Sequence, residues 1–120
     1  MKPTSDATCL ALTRIVCELH AGGRCEICGA HGGDPHHLYS RDNKAVRYDP
    51  TNIAWLCNTH HRWAEELGTK AFIRYLVNIG IRSKEWEAEL TIRKNAIVKA
   101  NDQFRAEWKA RLLEHLREVA

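Results

Sequence analysis

The chain has no run of about 18 consecutive apolar residues, the length a membrane-spanning helix needs, so no such helix is expected. Its opening residues, Met1-Lys2-Pro3-Thr4-Ser5-Asp6, lack the continuous apolar stretch of a secretory signal, which leads to the expectation of a protein that works inside a cell. Proline is scarce, with three residues, and there is no low-complexity tract or internal repeat, which argues against disorder and against a repeat architecture. Cysteine is present in an odd number, five, so a fully paired disulfide scaffold is excluded. There is no H-E-x-x-H and no deaminase-type H-x-E, which disfavours the zinc hydrolases built on those signatures.

What is present is the composition of one soluble domain: 120 residues, 44% hydrophobic and 28% charged. That length supports one core and one site. The net charge of +3 makes an anionic polymer a more natural ligand than a cationic one, without demanding it.

From Ser5 the pattern is helical. Ser5 is placed to cap, Leu12, Ile15, Val16 and Leu19 recur at helical spacing, and Gly22-Gly23 end the run, so residues 5–22 read as a first helix with Cys9 and Cys17 as buried thiols. Between Arg24 and Thr51 glycine, proline and Asp-Asn steps cut the chain into short pieces. Residues 37–40 and 45–48 read as strands joined by a polar turn at Asp42-Asn43, forming a small hairpin. A helix is expected from about Asn58 to Gly68, with His60, His61 and Trp63 on it. Another follows with Phe72, Ile73, Leu76 and Val77 on one face. From about Ser83 the spacing of Trp86, Leu90, Ile97, Phe104, Trp108, Leu112 and Leu116 predicts an amphipathic helix or helix pair, read mainly as packing on the first helix and alternatively as a dimer interface.

Cys25-Glu26-Ile27-Cys28 and, 29 positions after Cys28, Cys57-Asn58-Thr59-His60 are two C-x-x-[CH] knuckles. Each such turn offers two ligands, and together Cys25, Cys28, Cys57 and His60 make a four-ligand set for one structural zinc. The competing reading is a cluster of buried thiols. Between the knuckles lies Asp34-Pro35-His36-His37-Leu38, and His61 follows directly after the second. A zinc joining the two knuckles would draw these remaining histidines together into a second, open site. Separate surface histidines are the plainer alternative. Trp55 and Trp63 read as core residues bracing the knuckle. His31 reads as exposed, with membership of the zinc loop as the alternative, and His20 and His115 have no partner pattern.

The ordered set C-x-x-C, His-His-Leu, Asn52-Ile53-Ala54-Trp55-Leu56-Cys57 and His60-His61 resembles the zinc-containing HNH endonucleases over about residues 25–66. The resemblance implies an α+β fold: a ββα-metal HNH core with a zinc knuckle (24–67), flanked by the N-terminal helix (5–22) and a helical C-terminal extension (69–120). It implies His37 as the general base that activates water, and His36 and His61 as ligands of one divalent catalytic ion that stabilises charge on the phosphate. Asn52 matches the family's middle Asn, which orients the base or braces the loop between the strands; a turn cap before Ile53 is the alternative. Two departures stand out. His36 replaces the usual Asp and His60 the usual fourth Cys, and the first favours zinc, nickel or manganese over magnesium. Asp34 and Glu65 are candidate extra ligands or plain surface carboxylates.

Arg41, Lys44, Arg47 and Arg62 flank this region and are candidates for phosphate contacts, with DNA as the partner. Looser matches at Tyr39-Ser40-Arg41, Arg47-Tyr48-Asp49, Asn52-Ile53, Leu76-Val77-Asn78-Ile79-Gly80 and Trp86-Glu87 are similar to NinG-type recombination proteins of lambdoid phages. They imply a role in phage DNA recombination or processing, in the cytoplasm of a bacterium or phage-infected host. The alternative class is a non-catalytic, zinc-braced DNA-binding or adaptor module, in which His37 is dispensable and no second metal binds.

Overall fold

A computed structural model describes residues 2–119. Among these are five α-helices, a short 3-10 turn and one two-stranded antiparallel sheet, an α+β arrangement. Among the described residues no helix is long and apolar enough to cross a membrane.

Helix α1 (Asp6–Ala21) begins where sequence logic puts it. The Ser5 side chain accepts the Thr8 N–H, and Gly22 closes the helix in the left-handed region at φ 64°. Its buried face carries Cys9, Thr13, Val16 and Cys17: Cys17 packs with Ile53 and Trp55, while Cys9 and Val16 pack against Trp108 and Leu112 of α5 (Asp102–Val119). Tyr48 completes this apolar cluster. A larger one is built by Leu38, Val46, Leu56, Phe72, Leu76 and Leu90 around the sheet, α2 (Asn58–Leu67), α3 (Thr69–Asn78) and α4 (Lys84–Lys94). The C-terminal stripe is therefore a helix pair that serves two cores: Leu90 and Trp86 pack with the sheet cluster, and Phe104, Trp108, Leu112 and Leu116 pack with the α1 cluster.

The sheet corrects the expected hairpin. Strand β1 (Asp34–His37) pairs with β2 (Ile53–Leu56), in the register His36 opposite Ala54 and His37 opposite Ile53. Residues 45–48 form no strand. Their segment runs through successive turns, in which the N–H groups of Asn43, Val46, Asp49 and Asn52 each bond the carbonyl three residues back. The alternation of Val46 and Tyr48 imitates a strand because the turns send Val46 into one core and Tyr48 into the other. Beyond His37 the backbone of Tyr39 meets a side chain. Asn52 Oδ1 accepts the Tyr39 N–H at 2.9 Å and its Nδ2 donates to the Tyr39 carbonyl at 2.9 Å, occupying both groups a neighbouring strand would use.

Just before β1, Gly33 sits at φ 120°, and a Cβ there would lie 2.8 Å from both the Leu56 carbonyl and Trp55 Nε1. Only glycine lets the chain pass the wall of β2 at this point. Trp55 Nε1 donates to Gly32 O at 3.0 Å and fixes the approach.

Candidate functional site

The two knuckles converge as their spacing requires. Cys25 is held by backbone bonds from its N–H to Ala30 O and from Gly29 N–H to its carbonyl, with Gly29 at φ 75°. Cys57 is the N-cap of α2, its sulfur accepting the His60 N–H at 3.5 Å. The resulting separations are 3.8 Å for Cys28 Sγ to Cys57 Sγ, 3.7 Å for Cys25 Sγ to His60 Nδ1 and 3.3 Å for Cys57 Sγ to His60 Nδ1. A tetrahedral zinc with Zn–S bonds of about 2.3 Å and a Zn–N bond of about 2.0 Å has edges of about 3.8 Å between sulfurs and about 3.5 Å between sulfur and nitrogen. The four side chains can hold a metal ion, and their geometry is consistent with a structural zinc. Burial works against ionising Cys25, but bonds from the backbone N–H groups of Cys57, Cys28 and Ile27 outweigh it and bring the thiol down to about 6. The cradle is thus built for a thiolate. His31 stays outside it, exposed, with its backbone bridged to Arg24.

His60 and His61 are neighbours on α2, about 100° apart around the axis, and so face different groups. His61 turns toward β1, where its ring meets that of His36 at 4.8 Å between centroids. Glu65, one turn further on the same face, brings Oε1 to 3.2 Å from His61 Nε2. His36, His61 and Glu65 each offer one ligand atom, all within 4.8 Å of one another. Burial pushes the imidazolium form of His36 down to about 4, with the neighbouring His61 adding to the effect, so His36 is a neutral nitrogen donor at pH 7. Asp34 is elsewhere, its carboxylate 3.2 Å from Arg14, and does not join the group.

His37 leaves the strand on the face opposite His36. Its Nε2 lies 2.9 Å from the Arg47 carbonyl. A carbonyl only accepts, so Nε2 carries the proton and Nδ1 keeps a free lone pair. Burial holds the group below the usual histidine range, partly opposed by the Arg47 carbonyl, and Arg41 and Arg47 add to the lowering.

Asn52 is fully buried and, besides its two bonds to Tyr39, donates to Val46 O at 3.3 Å. It braces the loop that carries the partner of His37. Arg47 has a structural use that its sequence position did not reveal. Its Nε and Nη2 grip Asp6 of α1, each at 2.8 Å, and its Nη1 donates to Arg41 O at 2.9 Å. The Arg47 guanidinium holds the Asp6 carboxyl down at about 2, and the Tyr48 hydroxyl also donates to Asp6. Arg41, Lys44 and Arg62 are exposed.

Sequence reasoning missed three other placements. Asp49, only 2% exposed, accepts from Thr51 and pairs with Arg93 at 2.9 Å. Glu26 of the first knuckle accepts the Trp55 N–H and pairs with Arg82 at 2.8 Å. His20 and His115 bring their Nε2 atoms to 2.6 Å across α1 and α5. Each pair is far apart in the chain, and no local pattern signals it.

These features define an α+β protein with a cluster of three cysteines and one histidine that can hold a metal ion. Comparison with protein-family models, curated proteins and solved structures finds no match.

Proposed function

We propose that the chain is a metal-dependent DNA endonuclease of the HNH type, with a ββα-metal core formed by β1, β2 and α2. The observation that carries this reading is a three-ligand group, His36, His61 and Glu65, together with His37, the next residue along β1, whose Nε2 is tied to a backbone carbonyl. The donor chemistry fits a divalent ion, and two imidazoles with one carboxylate suit zinc, nickel or manganese better than magnesium. Such an ion supplies charge stabilisation at the phosphate and at the departing 3′ oxygen.

The residues supply the rest. His37 Nδ1 takes a proton from a water molecule, which attacks phosphorus; the bond to the 3′ oxygen breaks, and that oxygen takes a proton from solvent. The products are 5′-phosphate and 3′-hydroxyl ends. The Arg47 carbonyl fixes the ring of His37 and favours its protonated form as charge develops. Asn52 and Asp6 are positioning residues, holding the backbone and the guanidinium of the segment that carries that carbonyl. The zinc knuckle pins the Cys25–Cys28 turn to the start of α2. Arg41, Lys44 and Arg62 are the exposed cations offered to the DNA backbone. Phage DNA recombination or processing is the setting the second resemblance supports.

The test is nicking of supercoiled plasmid by wild type and His37→Ala, each confirmed folded and zinc-loaded, with magnesium, manganese, nickel or zinc supplied separately. Metal-dependent nicking by wild type, lost in His37→Ala, is expected. Absence of cleavage on plasmid, single-stranded and branched DNA with every ion, alongside DNA binding, would replace the nuclease with a non-catalytic zinc-braced module.

A further inference from the structure

We infer that the helical extension after the core contributes a binding track for one DNA strand, in the groove between α3 and α4 that opens at Tyr39. This rests on the nuclease reading for the position of the reacting phosphate, and extends it to residues outside the resembling segment. The groove encloses about 450 Å³ and is lined by Tyr39, Lys70, Arg74, Glu87, Thr91 and Lys94, among others. Arg74 and Glu87 pair with each other at 3.5 Å. Among the described residues no carboxylate pairs with Lys70 or Lys94, so the groove keeps two uncompensated positive charges. Lys94 Nζ stands 4.8 Å over the Tyr39 ring, a contact that orders the ammonium without neutralising it.

The groove is joined to the proposed site by the chain itself. Tyr39 follows His37 by only two residues, so at most about 7 Å of chain separates them, and the Asn52 side chain clamps it there. Thr69 Oγ1 donates to Leu38 O at 2.9 Å, so the first turn of α3, with Lys70, is fastened between His37 and Tyr39. Asn43 Nδ2 donates to the Lys94 carbonyl at 2.9 Å, which ties the loop bearing Arg41 and Lys44 to the end of α4. A strand whose phosphate sits at His37 therefore continues past Tyr39 within a nucleotide or two, where free lysines meet the next phosphates and an aromatic ring lies beside the bases. The chemistry recognised is a polyanionic backbone, independent of base sequence.

The experiment measures binding of fluorescein-labelled 20-nucleotide duplex and single strand to zinc-loaded protein in the uncut His37→Ala background, across a salt series. The double change Lys70→Gln with Lys94→Gln is compared with Lys99→Gln with Lys109→Gln, which removes the same charge elsewhere, and with Lys70→Arg with Lys94→Arg, which keeps it. Each phosphate contact contributes about 0.9 to the slope of log affinity against log salt on duplex DNA and about 0.7 on a single strand. The groove pair is expected to flatten the slope by about 1.8 or about 1.4, with the arginine pair restoring it and the control pair changing it little. Equal slopes for groove and control pairs on both DNAs overturn the track. Normal plasmid nicking with no groove effect removes the track and leaves the nuclease. A groove effect without any cleavage keeps the track and removes the nuclease.

Discussion

Helix α2 carries two candidate metal centres on adjacent residues, and they differ in a way that separates bracing from chemistry. His60 closes a four-ligand set with Cys25, Cys28 and Cys57, whose spacings already match a zinc tetrahedron and whose Cys25 is buried. His61 joins only two others, His36 and the exposed Glu65, in a three-residue group that could hold an ion. A closed set of soft ligands satisfies its ion completely and so holds structure; an incomplete set of harder ligands leaves coordination to be used. The loop between the strands adds a second contrast. The knuckle gathers four side chains that could hold an ion, whereas the turn segment beside His37 is closed by side chains bonding to protein groups, through Asn52 and the Asp6–Arg47 pair.

The sharpest way to break this comparison is to open the closed centre. Cys57→Ala removes both a zinc ligand and the N-cap of α2. It is expected to abolish tightly bound zinc and cost about 3–5 kcal/mol, lowering the melting temperature by about 10 °C or more, read by metal analysis and thermal unfolding. If zinc content and stability stay at wild-type values, the closed centre is no structural site.

Next is the protein-only closure. Asn52→Ala leaves the part-buried Tyr39 N–H and carbonyl without their side-chain partner and empties a fully buried side-chain position; it is expected to cost about 2–4 kcal/mol while zinc content stays full. Loss of zinc along with stability would merge the two regions into one unit and undo the contrast.

At the open centre Glu65→Gln is expected to weaken binding of a second manganese or nickel ion by about tenfold, with little change in folding, since the side chain is exposed. Calorimetric titration of zinc-loaded protein checks this. An unchanged second affinity would take Glu65 out of the ligand set.

The smallest effect is on pH. Burial lowers His20, His36 and His37 relative to an unfolded value of 6.5, His36 to about 4. Below 6.5 the unfolded chain binds protons that the folded one refuses, so stability is full above that pH and declines as pH falls toward 4. Asp6, depressed from 3.8 to about 2, adds stability that is present above 3.8 and lost as pH falls to about 2. His36→Gln should therefore show a shallower fall in melting temperature between pH 7 and 5 than wild type, by a few degrees or about one kcal/mol. Parallel curves would assign the acid sensitivity to other groups.

Much of this organisation was legible because it is local. Ser5 and Gly22 mark the ends of α1, and the two knuckles state their own ligand set, since C-x-x-[CH] turns need no knowledge of the rest of the chain. The same is true of the helix carrying His61 and Glu65 four residues apart. The hairpin was misread for a physical reason. The alternation of buried residues at 46 and 48 is shared by a strand and by a chain of turns threading between two cores, and periodicity alone cannot separate them. Arg47 illustrates the other limit, because its partner Asp6 is 41 residues away and no short motif joins them.

The amino-acid sequence by itself determined the Cys25, Cys28, Cys57 and His60 ligand set, the bounds of α1 and α2 and the presence of surplus histidines beside the knuckle, because each depends on residue type and near-neighbour spacing. Tertiary structure alone decided which strands pair, that His36 and His61 meet while Asp34 is drawn off to Arg14, and that the Arg47 carbonyl holds His37. Those outcomes depend on how buried side chains share two cores and on which backbone groups remain to be satisfied once they have, and that competition is settled only when the whole chain has folded.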